Sequence, residues 1–120
     1  MDRSMKDEST TVMALRRLIA TFVKERRWGI FHTPKNLAAS IAIEAAELME
    51  HFQWLTPAEV KTEMKKNKSR REVADEMADI LAYLLAMSNV LEIDLASALE
   101  RKVAKNAVKY PVKRYRGRFR

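Results

Sequence analysis

At 120 residues the chain is one domain, long enough to bury a core yet modest on its own. With 48% hydrophobic and 32% charged residues, only two Gly and three Pro, and many Ala, Leu, Met, Glu, Lys and Arg, it predicts an all-α protein with no sheet. The lack of Cys excludes disulfides, thiolate zinc sites and cysteine nucleophiles.

Residues 1–10 are polar and read as a flexible N-terminus, followed by a helical domain over 11–112 and a basic C-terminal tail over 113–120. The first helix is predicted from about Thr11 to Arg27 on the apolar stripe Val12, Leu15, Ile19, Phe22 and Val23. Trp28 to Pro34 breaks it, with Gly29 permitting a turn and Thr33-Pro34 capping and opening a second helix to about Gln53. Thr56-Pro57-Ala58-Glu59 reads as a capping box for a short helix to about Lys66. Ser69-Arg70-Arg71-Glu72 reads as another, opening a long helix to about Val90. Asp94 caps a last helix that Pro111 stops after Tyr110.

The longest uncharged stretch, Ile80 to Leu91, has the length of a buried core helix rather than a membrane span. No secretory signal precedes the first helix, and a cytoplasmic location is expected. The net charge of +7 is mostly a property of the tail. Lys113, Arg114, Arg116, Arg118 and Arg120 are five of the 23 basic residues, and without them 18 face 16 acids, a net charge of about +2. The charge is therefore poor support for a domain that grips nucleic acid.

Two carboxylate pairs carry the chemistry. Glu44 and Glu47 lie on the second helix, and Glu76 and Asp79 on the fourth, each pair three residues apart and so on one face. Ile41, Ala45, Leu48 and Phe52 form an apolar seam, as do Val73, Met77, Ile80 and Leu84. Each acidic pair lies roughly 60° and 120° to the same side of its seam. Packed together, the helices would converge four anions, whose repulsion of several kcal/mol per pair at ~4 Å calls for a cation. Oxygen-only ligation suits Mg²⁺ or Mn²⁺, which also bridge phosphates. A di-iron bundle would need Glu-x-x-His pairs, and Asp79 stands where that histidine belongs. His51, four residues after Glu47, either joins the site or is a partly exposed bystander, and Glu50 points away from the seam.

Three blocks in order resemble the dCTP-pyrophosphatase branch of the MazG superfamily. The first is Phe31-His32-Thr33-Pro34-Lys35-Asn36-Leu37 with Ile43 to Leu48 and Phe52-Gln53-Trp54. Asp75 to Leu81 is the second, and Lys102, Asn106, Lys109, Tyr110 and Pro111 the third. The resemblance implies a MazG-type helical bundle completed by dimerisation, often as a dimer of dimers. It implies Mg²⁺-dependent hydrolysis of a (deoxy)nucleoside triphosphate to the monophosphate and pyrophosphate. Glu44, Glu47, Glu76 and Asp79 would be the metal ligands. Lys102, Asn106, Lys109 and Tyr110 would meet the phosphates, and Trp28 and Trp54 would enclose the base or sugar.

The residues suit those roles on their own chemistry. Lys102, Asn106 and Lys109 share one helical face, which is otherwise a solvated basic face. Trp28 and Trp54 end helices beside loops, where they either wall a pocket or pack into the core. His32 and Asn36 either hydrogen-bond the nucleotide or order the helix start. Glu47 is the candidate proton acceptor. Animal-type dCTP pyrophosphatases have a base-reading histidine where this chain has Ile19, which leaves the preferred base open.

Other functions fit parts of the sequence. The tail interleaves Arg with Tyr115 and Phe119, as a nucleic-acid-binding or interaction module would. A related pyrophosphohydrolase acting on phosphoribosyl-ATP or dUTP would carry a similar metal site, and a purely structural bundle leaves the matched acids without a role.

Overall fold

A computed structural model describes residues 4–120, and among them every regular element is helical. The helices are α1 (Val12–Glu25), α2 (Pro34–Glu50), α3 (Pro57–Glu63), α4 (Asn67–Leu91), α5 (Leu95–Lys109) and a single turn α6 (Val112–Tyr115), with a 3-10 turn over Gly29–Phe31 before α2. No single helix among the described residues is long and apolar enough to cross a membrane.

Local capping explains most of the boundaries. Thr11, Thr33 and Asp94 accept hydrogen bonds from the amides of Ala14, Asn36 and Ser97 at 3.0, 3.2 and 2.8 Å, satisfying donors that the first turn leaves free. Thr56 and Glu59 form the predicted reciprocal box at 2.9 and 3.2 Å. One expectation is corrected and one refined. Ser69 does not cap α4, because the chain is already helical at Asn67 after Lys66, and the Ser69 hydroxyl instead donates to Glu63 at 2.9 Å. Gly29 opens the expected turn, a 3-10 turn, but the left-handed residue that ends α1 is Arg27 (φ 54°). Trp28 N–H reaches back to the Val23 carbonyl and Arg27 N–H to that of Lys24, the double bond of a left-handed helix cap. Before α1, Lys6 N–H donates to the Thr10 hydroxyl at 3.0 Å across a turn, and residues 1–3 lie outside the described residues.

α4 is the spine. α2 packs along it, α1 crosses it, and no other helix pair packs extensively. The α1–α4 crossing is fixed by a polar latch. Arg16 donates to the Asn89 amide oxygen at 3.0 Å and to the Ser88 carbonyl at 3.2 Å, while Asn89 donates back to the Arg16 carbonyl at 3.0 Å. This latch sets Ile19, Phe22 and Val23 opposite Tyr83 and Ala86.

The fully buried core is small: Leu37, Leu85, Ala86 and Ser88 among the described residues. On the α4 seam, Met77 and Leu84 remain exposed. α5 leaves α4 at 102° and carries Leu99, Val103 and Val108 into solvent. The radius of gyration is 17.6 Å, against about 13.6 Å for a compact chain of this length. The accessible surface is 10434 Å², about 3,700 Å² more than a folded monomer of this mass ordinarily exposes.

Candidate active site

Packing of α2 on α4 brings the acids together. Glu44, Glu47 and Glu76 each offer one carboxylate oxygen within 4.8 Å of the other two. Glu44 and Glu76 are half-buried, and each has one oxygen, Oε2, that is buried with no hydrogen-bond partner. Carboxylates cannot donate to one another, so this arrangement is neutralised only by a proton or a cation. Burial first, then the Glu47 carboxylate and the charge of Asp79, push Glu44 up to about 7. Carboxylates used as caps behave oppositely. Backbone N–H donors hold Glu59 and Asp94 below their usual values.

Asp79 lies outside the 4.8 Å group, although its charge still acts on Glu44. It lines an adjoining cavity of about 390 Å³ between α1 and α4, with Trp28, His32, Ile19, Phe22 and Tyr83. Trp28 is held edge-on against Phe22, ring centroids 5.7 Å apart. A larger cavity of about 520 Å³ lies beyond Ile19 and Val23 and includes none of the acids. The smaller one, an aromatic-walled recess with a carboxylate at its edge, is therefore the better place for a nucleotide.

The remaining predicted residues are distributed differently. Asn36 donates to the Phe31 carbonyl at 3.1 Å and orders the start of α2. Trp54 is 84% exposed on the turn after α2. Lys102, Asn106, Lys109 and Tyr110 lie on and just after α5, which does not pack extensively on the α2–α4 pair among the described residues. Tyr110 and Tyr115 meet edge to face at 5.2 Å, with Arg114 over the Tyr115 ring at 5.6 Å. Sequence reasoning passed over Tyr83, although it sits one turn after Asp79 on the same face. It left His51 open, and the structure brings its Nε2 within 3.7 Å of Glu76 Oε1.

Residues 39–118, which include both acid pairs and the α5 basic face, match the MazG-like family. The chain belongs to that family. This MazG-like chain is similar to a pyrophosphatase from Archaeoglobus fulgidus, whose crystal structure matches at a TM-score of 0.77 and 40% identity over 90% of this chain and 99% of that one. It is 38% identical over 107 residues to dCTP pyrophosphatase 1 of Rattus norvegicus, covering 89% of this chain and 63% of the relative. The corresponding human protein is 37% identical over 101 residues, covering 84% and 59%. The chain thus spans just under two thirds of the length of these curated relatives.

Proposed function

We propose that this protein hydrolyses (deoxy)nucleoside triphosphates to the monophosphate and pyrophosphate with Mg²⁺, or Mn²⁺ in its place. The observation that carries the reading is the convergence of Glu44, Glu47 and Glu76, with two buried unpartnered oxygens, beside an aromatic-walled cavity. The donor set fits a hard divalent cation: all oxygen, anionic, and short of partners without one. Asp79, one turn beyond Glu76, is the fourth ligand. When bound, the cation neutralises phosphate oxygens and makes an attacking water more acidic.

The protein's own groups do the rest. Glu47, the exposed member of the cluster, accepts the proton of the water as the link between the α- and β-phosphoryl groups breaks and pyrophosphate leaves. Trp28 and Tyr83 flank the base or sugar, with His32 at the cavity wall, and the exposed Trp54 is a further candidate to enclose it. Ile19 offers that cavity no hydrogen bond, so reading of the base falls to its polar walls Asp79, His32 and Tyr83, and either a broader dNTP range or a base other than cytosine fits it.

The phosphate-facing residues arrive from a second protomer. From Asp79 to the end of α4 is about 18 Å, and α5 then departs at 102°, so Lys102, Asn106, Lys109 and Tyr110 do not turn back onto their own cluster. The excess of accessible surface and the exposed face of α5 support a dimer or a dimer of dimers, in which a partner's α5 reaches the acids. A nucleic-acid-binding role for the tail is less favoured, since Tyr115 is already packed against Tyr110. The cytoplasm, where nucleotides are abundant, is the proposed location.

Pyrophosphate release from a panel of dNTPs and NTPs, with dUTP and phosphoribosyl-ATP included, tests the reading with and without Mg²⁺. Release should require the metal and fall at least a hundredfold in Glu47→Gln and Asp79→Asn with helical content unchanged. Full activity in either variant removes that residue from the site. No release from any substrate, with Mn²⁺ also tried, rejects the enzymatic reading.

A further inference from the structure

His51 closes α2: it is the C-cap residue, its amide bonded back to the Leu48 and Met49 carbonyls. It stands one turn beyond Glu47, and the packing of α2 on α4 carries its ring to Glu76. Nε2 lies 3.7 Å from Glu76 Oε1, with both side chains mostly buried, at 25% and 20% exposure. The other Glu76 oxygen has no partner and belongs to the carboxylate that groups with Glu44 and Glu47. The two oxygens of one carboxylate therefore have different surroundings: Oε1 lies 3.7 Å from the imidazole nitrogen, longer than a hydrogen bond, and Oε2 is buried with no hydrogen-bond partner. His51 itself is not among the groups within 4.8 Å, so it stands behind the cluster rather than in it.

We propose that His51 is a positioning residue for the metal site, its Nε2–H closing the 3.7 Å gap to one oxygen of Glu76 when the other is taken up by a divalent cation shared with Glu44 and Glu47. The inference rests on the functional reading above. It concerns a role that neither the acid spacing nor the family match assigns. Partners of this kind fix the torsions of a carboxylate ligand, and their loss typically weakens metal binding 10–100-fold.

The test is binding of Mn²⁺ alone to the full chain, followed by electron paramagnetic resonance in the wild type, His51→Leu, His51→Gln and His51→Asn. The Gln amide nitrogen falls near the imidazole Nε2, whereas that of Asn falls short. Leu and Asn should weaken Mn²⁺ binding about 10–100-fold and Gln should restore most of it. At saturating Mn²⁺, pyrophosphate release should change less than affinity does. Binding within about threefold of wild type in both Leu and Asn overturns the proposal. So does Gln no better than Asn, which keeps the test decisive if the Leu variant fails to fold. A nitrogen coupling to Mn²⁺ in the wild type that vanishes in the variants makes His51 a ligand and also overturns it. Since Mn²⁺ binding needs no nucleotide, pyrophosphate release absent from all four proteins would reject the enzymatic reading and leave the binding comparison to decide His51.

Discussion

A cation entering the acidic cluster must displace the proton that Glu44 holds. With Glu44 at about 7 rather than 4.5, the carboxyl carries about 0.9 proton at pH 6, about 0.5 at pH 7 and about 0.1 at pH 8. An unperturbed glutamate would carry about 0.03 at pH 6. Metal binding should therefore release close to one proton at pH 6, and the apparent affinity there should be about elevenfold weaker than well above pH 7. Isothermal titration with Mn²⁺ in two buffers of different ionisation enthalpy reads the released protons directly. Glu44→Gln should release almost none while binding more weakly at every pH. Tight Mn²⁺ binding at pH 6 with no proton released by the wild type would refute the premise that Glu44 is protonated in the metal-free cluster.

The same shift has a consequence for stability. A carboxyl raised in the fold favours folding fully below about 4.5, and that contribution is lost as pH rises through about 7. Metal-free protein should thus melt progressively lower from pH 5 to pH 8, the decline being reduced in Glu44→Gln and by added Mg²⁺; a flat profile in the wild type would contradict it. Leu37, 1% exposed in the first turn of α2, should cost about 2–5 kcal/mol as Leu37→Ala in denaturant unfolding. Val103→Glu on the open face of α5 should shift the protein to a smaller species in size-exclusion chromatography and abolish pyrophosphate release, and an unchanged elution volume would remove α5 from the interface.

Much of this was legible because it is local. Thr33-Pro34, Thr56-Pro57-Glu59 and Asp94 place helix starts from neighbouring atoms alone, and the i, i+3 spacing puts each acid pair on one face before any packing is known. Ser69 misled because its hydroxyl has a better partner in Glu63, on a helix that sequence spacing does not bring near. Arg27 was not legible as the end of α1, because a non-glycine residue accepts the left-handed conformation only when backbone hydrogen bonds, here two, stabilise it. The His51–Glu76 approach depends on the register of α2 against α4, which the apolar seams specify only to within a turn. That Asp79 falls outside the three-glutamate group is of the same kind, set by how α2 seats on α4. For α5 the sequence displays an apolar stripe but does not say whose core it enters.

The bend after Leu91 leaves α5 with no extensive packing against the other helices among the described residues. For as long as a newly made chain is alone, Leu99, Val103 and Val108 face water. In the proposed dimer, the length of that exposure is set by the concentration of other chains rather than by any folding step. Slow synthesis at low abundance is then the condition under which this protein is most exposed to chaperones, proteases and wrong partners.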